Sequence, residues 1–267
     1  MSISRPPRKG PPPRRGAADR TAAERWIYGR HAVTAALANP ERRWHRLLAL
    51  AGQAEEARAL AAAAVAARRG GGDSVRVLER AAFSALLPEG AVHQGLALEA
   101  EPLEEIALDD VLRAVTGPGI LVALDQVGDP QNVGAVLRSA AAFGAAAVIL
   151  TRHGAPPAGG ALAKAASGAL EHVPLVRVVN LARALDRLKE AGFWVCGLDE
   201  GADAPLAALD LGERIALVLG SEGGGLRRLV RARCDRLARL PTRPRQPTLN
   251  VSNAAAVALY ELVRRRC

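Results

Sequence analysis

From Gly119 onward the apolar positions come in unbroken runs: "GILVALDQV", "AAAVILT", "HVPLVRV", "GFWVCGL" and "RIALVLGS". A strand with one wet face alternates apolar and polar residues. These runs do not, so they predict strands buried on both faces, as in a parallel sheet flanked by helices. "RLARLP" predicts one more short strand near the end. Before Gly119 the elements are shorter and of mixed kind. "IYGRHAVTAALANP" predicts a helix closed by Asn39-Pro40, "RWHRLLALAG" a strand, and "AEEARALAAAAVAARRGGG" a helix ended by its glycines. "SVRVL" predicts a strand, "ERAAFSALLP" a helix stopped by Pro88, and "HQGLALEAEP" another strand. Short helices alternating with strands make an α/β pattern. The change of period divides the chain into a basic tail over 1–24, a small α/β domain over 25–102, a linker with a short helix over 103–117, and a parallel-sheet α/β domain over 118–267.

Composition narrows the chemistry. A chain of 267 residues can bury real cores, and with only 3% aromatics those cores are built from Ala, Val and Leu. No apolar run approaches the ~18 residues of a membrane span. The first residues carry no apolar leader, so a cytoplasmic protein is expected. The formal charge of +9 and pI near 10.6 point to a polyanionic partner, nucleic acid above all. All but three of the 36 basic residues are arginine, a bias that a GC-rich genome produces, but the excess of positive over negative charge survives that objection. The tail "SRPPRKGPPPRRGAADR" is too rich in proline and charge to bury a core and is expected to be disordered. Cys196, Cys234 and Cys267 are widely spaced with no CxxC pair, which argues against a metal site or a disulfide frame.

Three polar clusters follow predicted strands, where open parallel sheets bind ligands. In "LDQVGDPQNVGAVLRSAAAFGA" the loop after strand 120–126 leads into a helix capped by Asn132. Arg138 follows a little under two turns later, so that both can face the mouth of a site. Gly134, inside the helix, implies a close neighbour, because glycine there costs up to ~1 kcal/mol against alanine. In "LVLGSEGGGLRRLVRARCD" a buried strand ends at Gly220, and Ser221, Glu222 and three glycines lead into an arginine-rich helix. No GK[ST] follows, so this is not a P-loop, and no GxGxxG dinucleotide fingerprint is present. In "LPTRPRQPTLNVSNAAAVALYELV" a proline-broken loop opens into a last helix starting at Asn250 or Ser252. A helix mouth offers free N–H groups to a polar ligand, and it is also simply how helices begin.

In this order and spacing, "NVGAVLR", "LVLGSEGGGL" and "LPxxxxxxTLNVSNAAAVALYE" resemble the three motifs of the SpoU (TrmH-type) RNA ribose 2′-O-methyltransferases of the SPOUT superfamily. "YGRHAVTAAL" and "HQGLAL" resemble the small L30e-like RNA-binding domain of the RlmB-like subgroup, which methylates a guanosine in 23S rRNA. The resemblance spans roughly residues 26 to 266. It implies a trefoil-knotted α/β domain, a homodimer formed through the C-terminal domain, and S-adenosyl-L-methionine bound in the knot. By motif position the cofactor residues are Gly220, Leu240, Leu249, Thr248, Leu198 and Gly197, the last two from the strand at 193–198 and its loop. Asn132, Arg138, Glu222 and Asn250 match the catalytic set, with Ser252 capping the last helix beside them. Arg30, His93, Arg243 and Arg245 are expected to touch RNA. The third motif departs from the pattern at Pro244, where a glycine is usual, at Thr248, where serine is usual, and at Asn253, which replaces a small apolar residue.

The resemblance assigns Arg138 as the base for the ribose hydroxyl. A guanidinium rarely gives up its proton, with a pKa above ~12, so a bidentate clamp on the adjacent phosphate is the better physical role. The leading expectation is thus methyl transfer to a guanosine 2′-OH of 23S rRNA without metal or membrane. The same chemistry on another RNA such as tRNA, and a non-catalytic RNA-binding or assembly factor, are the alternatives.

Overall fold

The computed structural model describes residues 25–66, 75–243 and 248–266. The basic tail, the glycines ending the second helix, Pro244, Arg245 and Cys267 lie outside these residues. The first unit is a four-stranded sheet built from β1 (Trp26–Tyr28), β2 (Trp44–Ala49), β3 (Val75–Val77) and β4 (Leu96–Ala100), in the order β1-β4-β2-β3. Only β2 and β3 are parallel. Its helices are α1 (Arg30–Ala38), α2 (Ala54–Ala66) and α3 (Arg80–Ala85). One expectation is corrected here: Ile27 and Tyr28 belong to a strand, not to the first helix. Gly29, at φ +89°, breaks the chain between β1 and α1, a conformation that costs glycine nothing. The three large residues before it are buried against β4.

After α4 (Leu108–Ala114) the second unit carries a six-stranded parallel sheet. Its strands are β5 (Gly119–Asp125), β6 (Ala147–Thr151), β7 (Leu175–Val178), β8 (Trp194–Leu198), β9 (Arg214–Gly220) and β10 (Arg236–Ala238), in the order β10-β8-β9-β5-β6-β7. β5 and β9 pair over their whole length, from Gly119↔Arg214 to Asp125↔Gly220. The pleat splits β5 between two cores. Ile120, Val122 and Leu124 pack with α5 (Pro130–Ala142), α6 (Gly160–Ala166) and α9 (Val251–Arg264), while Leu121 and Ala123 pack with α4, α7 (Leu181–Glu190) and α8 (Arg228–Arg231). That two-sided burial is why the sequence shows runs instead of alternation. No helix among the described residues is long and apolar enough to cross a membrane.

The two units meet in a tight seam. A Cβ on Gly160 would lie 2.3 Å from the Trp26 carbonyl oxygen and as close to the Tyr28 ring, so only glycine lets β1 approach α6. Beside it Arg42 and Glu171 form an ion pair with side chains only 3% and 2% exposed. Arg42 donates from Nη2 to Glu171 Oε1 at 2.6 Å and from Nη1 to the Glu101 carbonyl at 2.7 Å, while Asn39 Nδ2 donates to Glu171 Oε2 at 2.8 Å. Every strong group of the pair is thus answered, as burial of charge demands.

Candidate active site

The C-terminal ends of β8, β9 and β10 open on one cleft. β5 ends at Asp125, a wholly buried carboxylate at the foot of an apolar strand. It accepts the Arg227 backbone N–H at 2.9 Å and the guanidinium from Nε at 2.7 Å and Nη2 at 2.6 Å. Those bonds tie down the far end of the loop that leaves β9. The near end is held by Gly225 N–H donating to the Ser221 carbonyl at 2.9 Å. A Cβ on Gly220 would lie 2.0 Å from the Gly225 carbonyl carbon, so the loop folds back onto the strand end in space that only glycine vacates. Loop 221–226 is therefore a built wall, not a slack connection.

On the rim, three side chains from distant segments close a triangle. Asn132 Nδ2 donates to Glu222 Oε1 at 3.1 Å, Asn250 Nδ2 donates to Asn132 Oδ1 at 2.9 Å, and Asn250 Nδ2 also donates to Glu222 Oε1. Asn250 caps α9: its Oδ1 accepts the Ser252 N–H at 2.9 Å and the Ser252 hydroxyl at 2.6 Å. Ser252 thus supports the cap and is not the cap itself. Asn132 does not cap its helix either. Proline at the first position fixes the start of α5, and Asp129 accepts the Gln131 N–H there, which leaves the Asn132 amide free to turn toward Glu222. Gly134 has the close neighbour that its position implied, since a Cβ would lie 2.4 Å from the Ala165 Cβ on α6.

Arg138 is not part of the triangle. Six residues at 100° each turn it about 120° from Asn132 around α5, where it is exposed and, among the described residues, forms no ion pair. Arg243 is exposed beyond β10. Arg30 and His93 lie in the other unit, at the Gln94 turn. Arg30 Nε donates to Glu56 at 2.6 Å, and His93 Nδ1 accepts the Gly95 N–H at 3.0 Å while its ring lies tilted at 42° against Phe83, centroids 4.7 Å apart. Lys164 of α6 reaches across the seam to the same Gln94 carboxamide, and its partial burial lowers its pKa. The arginine-rich stretch around α8 is partly tied down, because Arg227 pairs with Asp125 and Arg231 Nε donates to Asp199 at 2.6 Å. That hydrogen bond is the main reason the Asp199 carboxyl is held below its usual range.

The cleft behind the triangle has a volume of about 380 Å³. Leu198, Gly220, Leu240, Thr248 and Leu249 line it; Gly197 lies beneath, where a Cβ would meet Cys234 Sγ and the Leu226 side chain, both at 2.8 Å. Asp199, Glu200 and Glu222 also face it, so its walls are leucine and glycine with carboxylates at the edge. Such a lining suits a flat heterocycle joined to a cationic group. Among the described residues no three His, Cys, Asp or Glu side chains gather as metal ligands. Sequence reasoning missed Asp125, Asp199 and Glu200. The signal for Asp125 was present, as a carboxylate closing seven buried residues.

Sheet, cleft and triangle define an α/β enzyme that binds its ligands at the C-terminal strand ends, with a small domain docked beside them. The chain belongs to the SpoU rRNA Methylase family, whose model matches residues 119–260, and residues 26–106 match the model for RNA 2′-O ribose methyltransferase substrate binding. It is 41% identical over 244 residues to the 23S rRNA (guanosine-2′-O-)-methyltransferase RlmB of Xylella fastidiosa, covering 90% of this chain and 96% of that one. It is also 41% identical over 183 residues to an uncharacterized tRNA/rRNA methyltransferase of Synechocystis, of whose length the match spans 48%. Among solved structures, the SpoU methyltransferase AviRb of Streptomyces viridochromogenes in complex with the cofactor AdoMet superposes with a TM-score of 0.77 at 25% identity, covering 94% of each chain.

Proposed function

We propose that the chain transfers the methyl group of S-adenosyl-L-methionine to the ribose 2′-hydroxyl of a guanosine in 23S rRNA. The observation that carries the reading is the Asn132–Glu222–Asn250 triangle closing one side of the glycine-walled cleft, in a chain 41% identical to an enzyme of that name. Leu198, Leu240 and Leu249 supply apolar walls for the adenine, Gly220 and loop 221–226 supply backbone groups, Thr248 adds a hydroxyl, and Gly197 makes room beneath. The carboxylates of Asp199, Glu200 and Glu222 favour a cationic ligand. When bound, the cofactor supplies an electrophilic methyl on a sulfonium centre.

The protein then has two tasks, to align the hydroxyl and to manage its proton. Alignment of reactants is worth ~7–11 kcal/mol at best. Asn132 and Asn250 both donate to Oε1 of Glu222, which fixes the carboxylate and takes up neither bond on Oε2, the oxygen assigned here to the ligand hydroxyl. The proton passes to that oxygen or to water. Arg138, exposed on α5, clamps the neighbouring phosphate in bidentate fashion and lowers the hydroxyl pKa electrostatically.

The reading includes a knotted C-terminal path, an L30e-like small domain, a cytoplasmic site of action and a homodimer. The path is supported by α9 returning from edge strand β10 to pack on α5 beneath the triangle. The dimer is supported by exposed Val257 and Tyr260, one turn apart on α9, with Leu249 just before it. Arg30, His93, Arg243 and Arg245 are taken as RNA contacts. Ribose-methylation mapping of total RNA from cells with and without the gene tests the whole. One 23S guanosine losing its methyl group supports it, and an unchanged map refutes it. Arg138→Lys is expected to lose most turnover while keeping cofactor affinity; full turnover in that variant removes the clamp.

A further inference from the structure

A second cavity, of about 910 Å³, lies in the seam between the two units. Its floor is the turn from β5 to α5, where Gly128 and Pro130 line it, two residues before Asn132. The helix that carries Asn132 to the triangle thus begins at this cavity. The opposite wall is Tyr28 of β1, and the sides are the loop after β6, with Arg152, Pro156 and Pro157, and Arg177 of β7. The loops are rigidly built. Thr151 Oγ1 donates to the His153 carbonyl at 2.9 Å, Gln126 Nε2 donates to the same carbonyl at 3.2 Å, and Arg177 Nη2 donates to the Pro156 carbonyl at 2.6 Å. A Cβ on Gly128 would lie 2.8 Å from the Gly154 carbonyl oxygen, so these two loops touch.

Tyr28 is 94% buried, since only 6% of its surface is exposed, yet its hydroxyl bonds no described residue. The ring is buried but the hydroxyl is not, so a ligand or water in the cavity can reach it. Arg152 turns one guanidinium edge to Glu105 at 2.6 Å and leaves its remaining donors to solvent. A reachable hydroxyl, the exposed Pro157 ring and two guanidinium groups are the complement of a nucleobase with its phosphate.

We propose that this seam cavity holds a nucleotide of single-stranded RNA flanking the methylated one, its base against Pro157 and within reach of the Tyr28 hydroxyl, and its phosphate at Arg152. The inference rests on the RNA methyltransferase reading and deepens it: the small domain supplies one wall of the substrate site through Tyr28, and is not only a tether. Burial raises the Tyr28 pKa, so the hydroxyl stays a donor through any ordinary assay pH.

The test uses full-length protein, S-adenosyl-L-methionine and an unmodified 23S rRNA transcript, with KM and kcat followed over a salt series. Tyr28→Phe is expected to raise KM for the transcript about five-fold, the worth of one hydrogen bond, with cofactor affinity unchanged. Arg152→Ala is expected to raise KM and to flatten the log–log salt dependence by ~0.7, one single-strand phosphate contact. Glu105→Gln is expected to leave KM unchanged or lower it. If Arg152 merely braced the seam through Glu105, Arg152→Ala and Glu105→Gln would raise KM alike, and that result overturns the proposal. Wild-type kinetics in both Tyr28→Phe and Arg152→Ala overturn it too. A wild-type protein that methylates no transcript refutes the activity itself, whereas an active wild type with indifferent variants refutes only the cavity's role.

Discussion

His93 was expected to touch RNA, and the structure gives its ring a second occupation. Nδ1 accepts the Gly95 N–H at 3.0 Å, which requires that nitrogen to be unprotonated, and it helps hold Gln94 and Gly95 at positive φ. Burial, and then the charge of Arg80, lower its pKa below 6.5. The unfolded chain therefore binds the proton more readily than the folded one, so the contribution to stability is complete above pH 6.5 and is lost as the pH falls through the folded value. Melting curves between pH 7.5 and 5 are expected to show the wild type losing stability relative to His93→Leu on acidification. Parallel declines would mean that the ring is not held neutral. At this scale the sequence was legible where a residue's role is local. Asn250 is a good N-cap and is one. It was illegible where partners are far apart: Asn132 was assigned to a cap three residues from the true one, because nothing local shows that its amide is claimed by Glu222, 90 positions away.

The elements divide in the same way. The long strands of the second sheet were readable because two-sided burial leaves an unbroken apolar run, whereas β1 was absorbed into a helix because three apolar residues before a glycine carry no period. Two elements depend on single residues that can be tested. Gly134 lets α5 lie against α6, and an alanine there would put its Cβ 2.4 Å from that of Ala165. Helix propensity would gain up to ~1 kcal/mol, but the overpacking is expected to outweigh it, at about 1–3 kcal/mol. Gly134→Ala should therefore melt several degrees lower; an unchanged or higher Tm would show that the helices separate freely. Asp125 anchors the loop after β9 through Arg227. Asp125→Ala leaves that guanidinium half in water, so the stability cost falls below the 3–5 kcal/mol of a stranded buried charge, at about 2–3 kcal/mol. The more diagnostic expectation is at least a ten-fold loss of S-adenosyl-L-methionine affinity by calorimetry, because the wall of the cleft comes loose. Retained affinity would make Asp125 a purely structural residue.

For the whole molecule, the decisive contact is one the sequence could not show. Arg42 and Glu171 are separated by 129 positions, lie in different units, and pair at 2.6 Å in the only buried ion pair between those units among the described residues. Buried pairs add little net stability, but removing one partner strands a charge at a cost of about 3–5 kcal/mol, while replacing both with apolar residues is often neutral. Glu171→Leu should therefore weaken docking of the small domain severely, and Arg42→Met together with Glu171→Leu should restore much of it. Calorimetry is expected to split or broaden the single change and to recover a sharper transition in the double change. If the seam also positions RNA, Glu171→Leu should raise KM for the transcript while cofactor affinity, set by β8, β9 and β10 at the other side of the sheet, stays as it was. Loss of cofactor binding together with docking would instead mean that the two units fold as one cooperative body, with the pair holding the sheet itself rather than the angle at which the small domain meets it.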